Sequence, residues 1–223
     1  MSKKIIGVGR KVIPNHIGII PDGNRRWAKK IGIDYFTAYR QGFENLKRIL
    51  DSIIDLSIYN ASVYILSYEN CKKRTKDELN FLFNLSREGF KYIRENKKLQ
   101  KNDISVRVTG DLSIPPDFVL DEIEKTHEET KNRNNGVLNL AYCYSGEWEI
   151  EKIKRGERPV SLDLSPIDLV IRTGGVKRIS GFFPLLVNYA EFYFSDILWP
   201  DFNKSELEKS IQWFSLQQRN FGV

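Results

Sequence analysis

The sequence predicts an α/β domain built on a mainly parallel β-sheet. Short apolar runs of strand length alternate with segments of helical period from end to end. Capping and turn residues fall between them, and no low-complexity linker or internal repeat divides the 223 residues. Strand, helix, strand repeated about six times calls for right-handed crossovers, which make neighbouring strands parallel. The stretch 155–166 (RGERPVSLDLSP) is too short to separate two domains, so residues 1–223 read as one unit. Within it, residues 1–13 form a basic N-terminal arm and residues 203–223 a last helix and tail.

The elements follow in order. Ile17–Ile20 is a short apolar run that reads as a buried strand. Phe43, Leu46, Ile49, Leu50, Ile53 and Ile54 then recur at three-to-four spacing, the stripe of an amphipathic helix. Ser62–Ser67 is the second strand. Thr75 with Glu78 forms a capping box ahead of Leu79, Leu82, Phe83 and Phe90, so a long helix starts there. Asn96–Lys101 reads as a basic loop, and Ile104–Val108 as the third strand. Pro115-Pro116 opens a helix carrying Phe118 and Ile123, and Gly136 precedes a fourth strand at Val137–Cys143. Leu169–Ile171 and Phe192–Phe194 supply two more strands. Ser205 with Glu208 is expected to cap a last helix through Gln217.

Composition narrows the classes of function. Hydrophobic residues make up 41% and charged residues 29%, ordinary values for a folded core that exclude disordered and fibrous readings. With only Cys71 and Cys143, and no charged-then-apolar leader, a disulfide scaffold or secreted protein is not expected, and the chain is placed in the cytoplasm. No stretch approaches the ~20 apolar residues that span a bilayer, so any membrane contact is expected to be peripheral. His16 and His127 stand far apart without zinc-type spacing. The net charge of +6 suits anionic lipid, nucleic acid or a phosphorylated substrate, but no nucleic-acid motif accompanies it.

In a parallel sheet, ligands gather at the carboxyl ends of the strands. After the first strand comes Pro21-Asp22-Gly23-Asn24-Arg25-Arg26-Trp27. Free N–H groups at a helix start accept phosphate oxygens, and Asp22 could coordinate a divalent ion. A turn in which Asp22 and Asn24 merely cap the helix satisfies the same residue types. After the Asp168–Ile171 strand comes Arg172-Thr173-Gly174-Gly175-Val176-Lys177-Arg178-Ile179-Ser180. Two arginines, two hydroxyls and a Gly-Gly turn with exposed backbone N–H groups are the donors that a diphosphate needs. Glu191, opening the last strand, is either an edge residue or a second carboxylate for metal or substrate.

HIGIIPDGNRRWAKK (16–30), SYENCKKR (67–74), DLVIRTGGVKRISGFF (168–183) and NYAEFYFSDILWPDF (188–202) resemble, in order over nearly the whole chain, the signature regions of the cis-prenyltransferases. This is the undecaprenyl and dehydrodolichyl diphosphate synthase family, and the pattern looks most like its archaeal members. The resemblance implies a homodimer whose six-stranded parallel sheet and flanking helices enclose a hydrophobic tunnel. It implies condensation of isopentenyl diphosphate with an allylic diphosphate, assisted by Mg²⁺, giving a new cis double bond and pyrophosphate. By position, Asp22 would hold Mg²⁺ and assist departure of the allylic diphosphate, with Gly23, Asn24 and Arg26 binding that diphosphate. Arg172, Arg178 and Ser180 would bind the diphosphate of isopentenyl diphosphate, and Glu191 would support the metal. Ser67 and Asn70 stand near the reacting carbons, Lys73 takes the place of a nearby arginine of the family, and Trp27, Phe83, Phe90 and Tyr142 are candidates to meet the substrate tail.

The chain departs from the family pattern at Tyr35, Tyr39, Cys71, Lys73, Val176 and Asn220, which predicts less positive charge at the allylic site and a weaker tail contact with a partner subunit. Ile65 replaces a small residue of long-chain members, which predicts a short or medium product. Two other readings use the same fold: irregular, lavandulyl-type coupling of two allylic units, and a non-catalytic partner subunit of a synthase. Retained Asn24 argues against the first, and retained Asp22, Arg26, Arg172, Arg178 and Glu191 against the second.

Overall fold

Six strands join in one sheet in the order β3-β4-β2-β1-β5-β6, and every pairing is parallel. A computed structural model describes residues 12–220, so most of the basic arm, the tail from Phe221 and the roles expected of them lie outside the described residues. The strands are β1 (His16–Ile20), β2 (Asn60–Ser67), β3 (Ile104–Thr109), β4 (Gly136–Tyr144), β5 (Leu169–Arg172) and β6 (Glu191–Phe194). The helices are α1 (Asn24–Ile31), α2 (Tyr35–Asp55), α3 (Tyr68–Lys73), α4 (Lys76–Glu95), α5 (Lys97–Lys101), α6 (Asp117–Thr130), α7 (Gly146–Lys154) and α8 (Lys204–Phe214).

All six predicted strands are present: β1, β4 and β5 are almost wholly buried, β2 and β3 mostly so, and the edge strand β6 is half-buried along its length. Thr75 caps α4 by accepting from the Glu78 N–H, as the capping box requires. Two local readings are corrected. The stretch Asn96–Lys101 is a short helix rather than a loop, because the Asn96 side chain accepts from the N–H groups of Lys98 and Leu99. The last helix is capped by Asn203, whose side chain accepts from Glu206 N–H, not by Ser205, and it ends at Phe214.

The apolar stripe of α2 (Ile49, Leu50, Ile53, Ile54) packs with α4 and α6 on one face of the sheet, together with Ile17, Val63, Val106 and Leu140. The other face carries a smaller cluster around Tyr64, Tyr144, Phe182 and Phe183. Between the strands runs a buried chain of polar side chains. Thr109 Oγ1 donates to Asn139 Oδ1 (2.6 Å), Asn139 Nδ2 to Ser62 Oγ (3.2 Å), Ser62 Oγ lies 2.9 Å from His16 Nε2, and His16 Nδ1 lies 2.8 Å from Ser165 O. The carbonyl of Ser165 accepts only, so Nδ1 carries the proton and Nε2 accepts from Ser62. Every link is satisfied with His16 neutral.

Candidate active site

The chain leaves β1 through Pro21-Asp22-Gly23 and enters α1 at once. Gly23 has φ 121°, and a Cβ there would stand 3.1 Å from Leu198 Cα, so only glycine fits the turn. Thr173, just past β5, clamps the turn twice: its Oγ1 accepts from Asp22 N–H (2.9 Å) and donates to Asp22 O (2.7 Å). No side chain caps α1 and no acid stands in its first turn. The capping reading of Asp22 and Asn24 is thereby set aside, and the first N–H groups of α1 keep their capacity for an anion.

The Asp22 carboxylate instead meets two arginines. Its Oδ2 lies 2.7 Å from Arg172 Nη2 and its Oδ1 3.1 Å from Arg26 Nη2. Arg172 is only 5% exposed, and its Nη1 donates to Arg178 O (2.5 Å) and Ser180 Oγ (2.8 Å). Ser180 sits at φ 50°, a left-handed conformation that a non-glycine residue adopts at a cost of about 1–3 kcal/mol. Arg26 Nη1 reaches Gly174 O (2.5 Å), and a Cβ on Gly174 would overlap its guanidinium.

One expectation about this turn is overturned. The N–H groups of Gly174 and Gly175 are not exposed donors, since they bond Ile197 O and Ser195 O at 2.8 Å each. A diphosphate beside this turn meets the arginine and serine side chains and not the two glycine amides.

Asp22, Gly23, Asn24, Arg25, Arg26, Ser67, Asn70, Arg74, Arg172 and Ser180 line one cavity of about 350 Å³. It continues through Pro21, Asn24, Tyr39, Ile65, Leu66 and Leu82 into an apolar cavity of about 120 Å³ between α2, α4 and the sheet. Phe43, Leu85, Gly89, Phe90 and Ile93 line that inner space. Asn24 stands at the junction, and its Oδ1 is buried without a hydrogen-bond partner against Gly42. Ser67 caps α3 by accepting from Asn70 N–H (3.1 Å), which fixes both groups at the cavity wall.

Several predicted residues are placed elsewhere. Lys73 is exposed and outside the cavity, whereas Arg74 lines it and donates to Tyr39 Oη and Glu78. The sequence carried no such signal, because Arg74 is the residue after α3 and leaves the helix in extended conformation, which turns its side chain toward Tyr39 and the cavity. Arg25 and Arg74, the latter paired with Glu78, join Arg26 and Arg172 along the cavity wall, where Asp22 is the one lining carboxylate. Trp27 bonds Asp201 (2.8 Å) outside the cavity, and Phe83 and Tyr142 are core residues that do not line it. Arg178 contributes its carbonyl to Arg172, its own side chain being exposed. Glu191 pairs in register with Leu169 while Arg172 pairs with Phe194, so it stands at the opposite end of the sheet from Asp22. Within one chain it cannot share a metal with Asp22.

Burial, opposed by Arg74 and reinforced by Glu78, pushes the Tyr39 hydroxyl up to about 12, so it is a neutral donor at pH 7. Among the described residues no cluster of three metal-ligating side chains exists. One carboxylate beside several cationic donors suits a Mg²⁺ that arrives with a diphosphate, since that ion keeps waters and takes substrate phosphates as ligands.

Comparisons agree with this geometry. The family profile described as "Putative undecaprenyl diphosphate synthase" matches residues 20–222. A geranylgeranyl-diphosphate-specific tritrans,polycis-undecaprenyl-diphosphate synthase of Aeropyrum pernix is 41% identical over 94% of this chain and 98% of its own. An isoprenyl transferase of Fusobacterium nucleatum is 37% identical over 95% and 97%. Among solved structures, lavandulyl diphosphate synthase from Lavandula x intermedia, in complex with dimethylallyl diphosphate, superposes with a TM-score of 0.83 at 27% identity, covering 96% of this chain and 100% of that one. A probable undecaprenyl diphosphate synthase from Campylobacter jejuni gives 0.74 at 31% identity, covering 94% and 99%. With a profile match over nearly its whole length, curated relatives above 30% identity and an arginine-bridged aspartate at the mouth of an apolar cavity, the chain belongs to the undecaprenyl diphosphate synthase family of cis-prenyltransferases.

Proposed function

We propose that this prenyltransferase extends an allylic diphosphate, geranylgeranyl diphosphate by analogy with its named archaeal relatives, with isopentenyl diphosphate. The observation that carries the reading is Asp22 held between Arg26 and Arg172 where the polar cavity opens into the apolar one. The allylic diphosphate lies against the uncapped start of α1 with Gly23, Asn24, Arg26 and Arg74, its tail passing Ile65 and Leu82. The diphosphate of isopentenyl diphosphate takes Arg172 and Ser180, with Ser67 and Asn70 beside the reacting carbons. As the allylic C–O bond breaks, charge develops on the departing pyrophosphate, and fixed guanidinium groups stabilise it in a site that excludes water. Carbon–carbon bond formation and transfer of a proton from the isopentenyl unit to the departing pyrophosphate leave the new cis double bond. Mg²⁺, when bound with substrate at Asp22, adds Lewis-acid stabilisation of the leaving group.

The product is proposed to be short or medium, because Ile65 stands in the wall of both cavities and leaves the inner one narrow. The archaeal relatives are named for an undecaprenyl product, so the length is open to direct test. A homodimer and peripheral contact with a membrane in the cytoplasm complete the proposal. Among the described residues, no helix is long and apolar enough to cross a membrane.

The test is product analysis with Mg²⁺, labelled isopentenyl diphosphate and allylic primers from dimethylallyl to geranylgeranyl diphosphate, with Asp22→Ala as control. Chain-extended products lost in the variant are expected, and C50 or longer products would overturn the length. The likeness to lavandulyl diphosphate synthase keeps a second reading, irregular coupling, which product from dimethylallyl diphosphate alone would support.

A further inference from the structure

Helices α2 and α4 run side by side in the same direction. The Phe36 ring lies 4.9 Å from that of Phe81 at a tilt of 58°, Arg40 pairs with Glu88, and Lys47 lies over Tyr92. Their N-termini therefore rise at one end of the molecule, the end where Arg25, Tyr39 and Arg74 rim the substrate cavity. That end displays apolar side chains to solvent. Ile31 is 47% exposed on the last turn of α1, and Tyr35 and Phe36 are 40% and 38% exposed on the first turn of α2. Buried apolar surface nearby does not absorb them.

Cations surround these side chains. Arg25 lies 4.6 Å over the Tyr35 ring, Lys29 stands one turn further along α1, and Lys30 is its neighbour. Lys72 and Lys73 end α3 and Lys76 begins α4, on either side of the Arg74 that touches Tyr39. Against these six cations the same end carries Asp34, Glu69 and Asp77. Arg40 and Arg74 pair with Glu88 and Glu78 and so add nothing to the surplus.

Exposed aliphatic and aromatic side chains ringed by lysine match the water–lipid interface, where rings and stems enter the headgroup region and ammonium groups meet anionic phosphates. We propose that this face, formed by the end of α1 and the starts of α2 and α4 with Lys72, Lys73 and Lys76, docks on an anionic bilayer surface. Docking there would set the cavity mouth against the bilayer. A finished polyprenyl diphosphate released through that mouth would then enter the bilayer without crossing water. This last benefit rests on the proposed chemistry, but the docking does not, since binding to vesicles needs no turnover.

The experiment is co-sedimentation of the full chain with vesicles of phosphatidylcholine alone or in equimolar mixture with phosphatidylglycerol. The anionic vesicles are expected to retain the protein, and raised salt to weaken that retention. Two variant pairs, Lys29→Glu with Lys30→Glu and Ile31→Ser with Phe36→Ser, are each expected to weaken binding at least about tenfold. Turnover of soluble substrate should stay unchanged in both, and Lys97→Glu with Lys101→Glu, at the far end, should bind as the parent does. Failure of the parent to bind anionic vesicles, or equal binding by all variants, overturns the proposal. So does conversion of a dimer to a monomer by either pair in light scattering, because the face would then belong to a second copy of the chain. Melting curves of each variant confirm that it is folded.

Discussion

Gly42 lies within α2 in the wall of the apolar cavity and reaches neither diphosphate position, yet replacing it by alanine should damage catalysis. A methyl group at Gly42 would overlap Asn24 Oδ1 and stand 3.1 Å from Trp199 Cδ1. The helix cannot back away, because Trp199 Nε1 donates to Gly42 O (2.8 Å) and Asn45 Nδ2 donates to Trp199 O and Phe202 O (2.7 Å each). Asn24, at the junction of the two cavities, must yield instead. Alanine for glycine inside a helix gains about 0.5–1 kcal/mol, while forced overpacking costs about 1–3 kcal/mol. The net change is then between about zero and 2.5 kcal/mol of destabilisation, a fall in Tm of up to about 10 °C at 2–4 °C per kcal/mol. Displacing a positioned group by about 1 Å costs roughly a hundredfold in rate, or ~2.7 kcal/mol of barrier. Steady-state kinetics and a melting curve of Gly42→Ala test both figures. In an Asn24→Ala background the same substitution should cost less, because only the 3.1 Å approach to Trp199 Cδ1 remains. A Gly42→Ala enzyme with full kcat and a raised Tm would refute the reasoning.

Other expectations follow from the site and the core. Arg74→Gln should lower kcat/KM for the allylic diphosphate by about 10²–10³, the cost of one leaving-group donor, whereas Lys73→Gln should stay within about twofold. Equal losses would restore the assignment to Lys73. Ile65→Ala, which removes a side chain from the wall of both cavities, should lengthen the product distribution seen by chromatography. Burial holds the His16 pKa below its ordinary value of 6.5 against the opposing pull of Ser165 O and Asp168. The folded state then binds fewer protons than the unfolded one, so the contribution of His16 is complete above about pH 6.5 and is lost as pH falls from there through the depressed folded value. Melting temperature measured from pH 8 to pH 5 should fall less steeply in His16→Gln than in the parent; parallel profiles would show that another group titrates.

The fold was legible because its strands are short apolar runs, its central ones buried on both faces, and its long helices carry a one-sided stripe, and both periodicities survive in local sequence. The short elements were not. Helix α5 is five letters of lysine, leucine and glutamine whose helical state depends on the Asn96 side chain turning back onto Lys98 and Leu99. Ser205 and Asn203 are equally good caps in composition. Asn203 took the position because the chain leaves the 3₁₀ turn at Trp199–Asp201 in extended conformation, which places its side chain over the Glu206 N–H.

The site divides along the same line. Asp22, Arg26, Arg172 and Ser180 could be found in sequence because each ends or follows a strand, and a parallel sheet brings the ends of its strands together whatever the loops do. Glu191 fails by the same rule: it starts β6 instead of following it, three residues before the Phe194 that pairs with Arg172. Asp196, just past β6, is the carboxylate at the correct end, where it would meet a Cβ on Gly175 at 3.1 Å. The Gly-Gly turn misled for a different reason. Glycines permit backbone amides to face a ligand, but they equally permit the backbone to fold onto a neighbouring segment, and here both amides bond carbonyls of the chain after β6. That choice fixes the turn as a wall and transfers anion binding to side chains. It also accounts for the buried position of Arg172, which must hold Asp22, Ser180 Oγ and the Arg178 carbonyl at once for the loop to keep its left-handed Ser180.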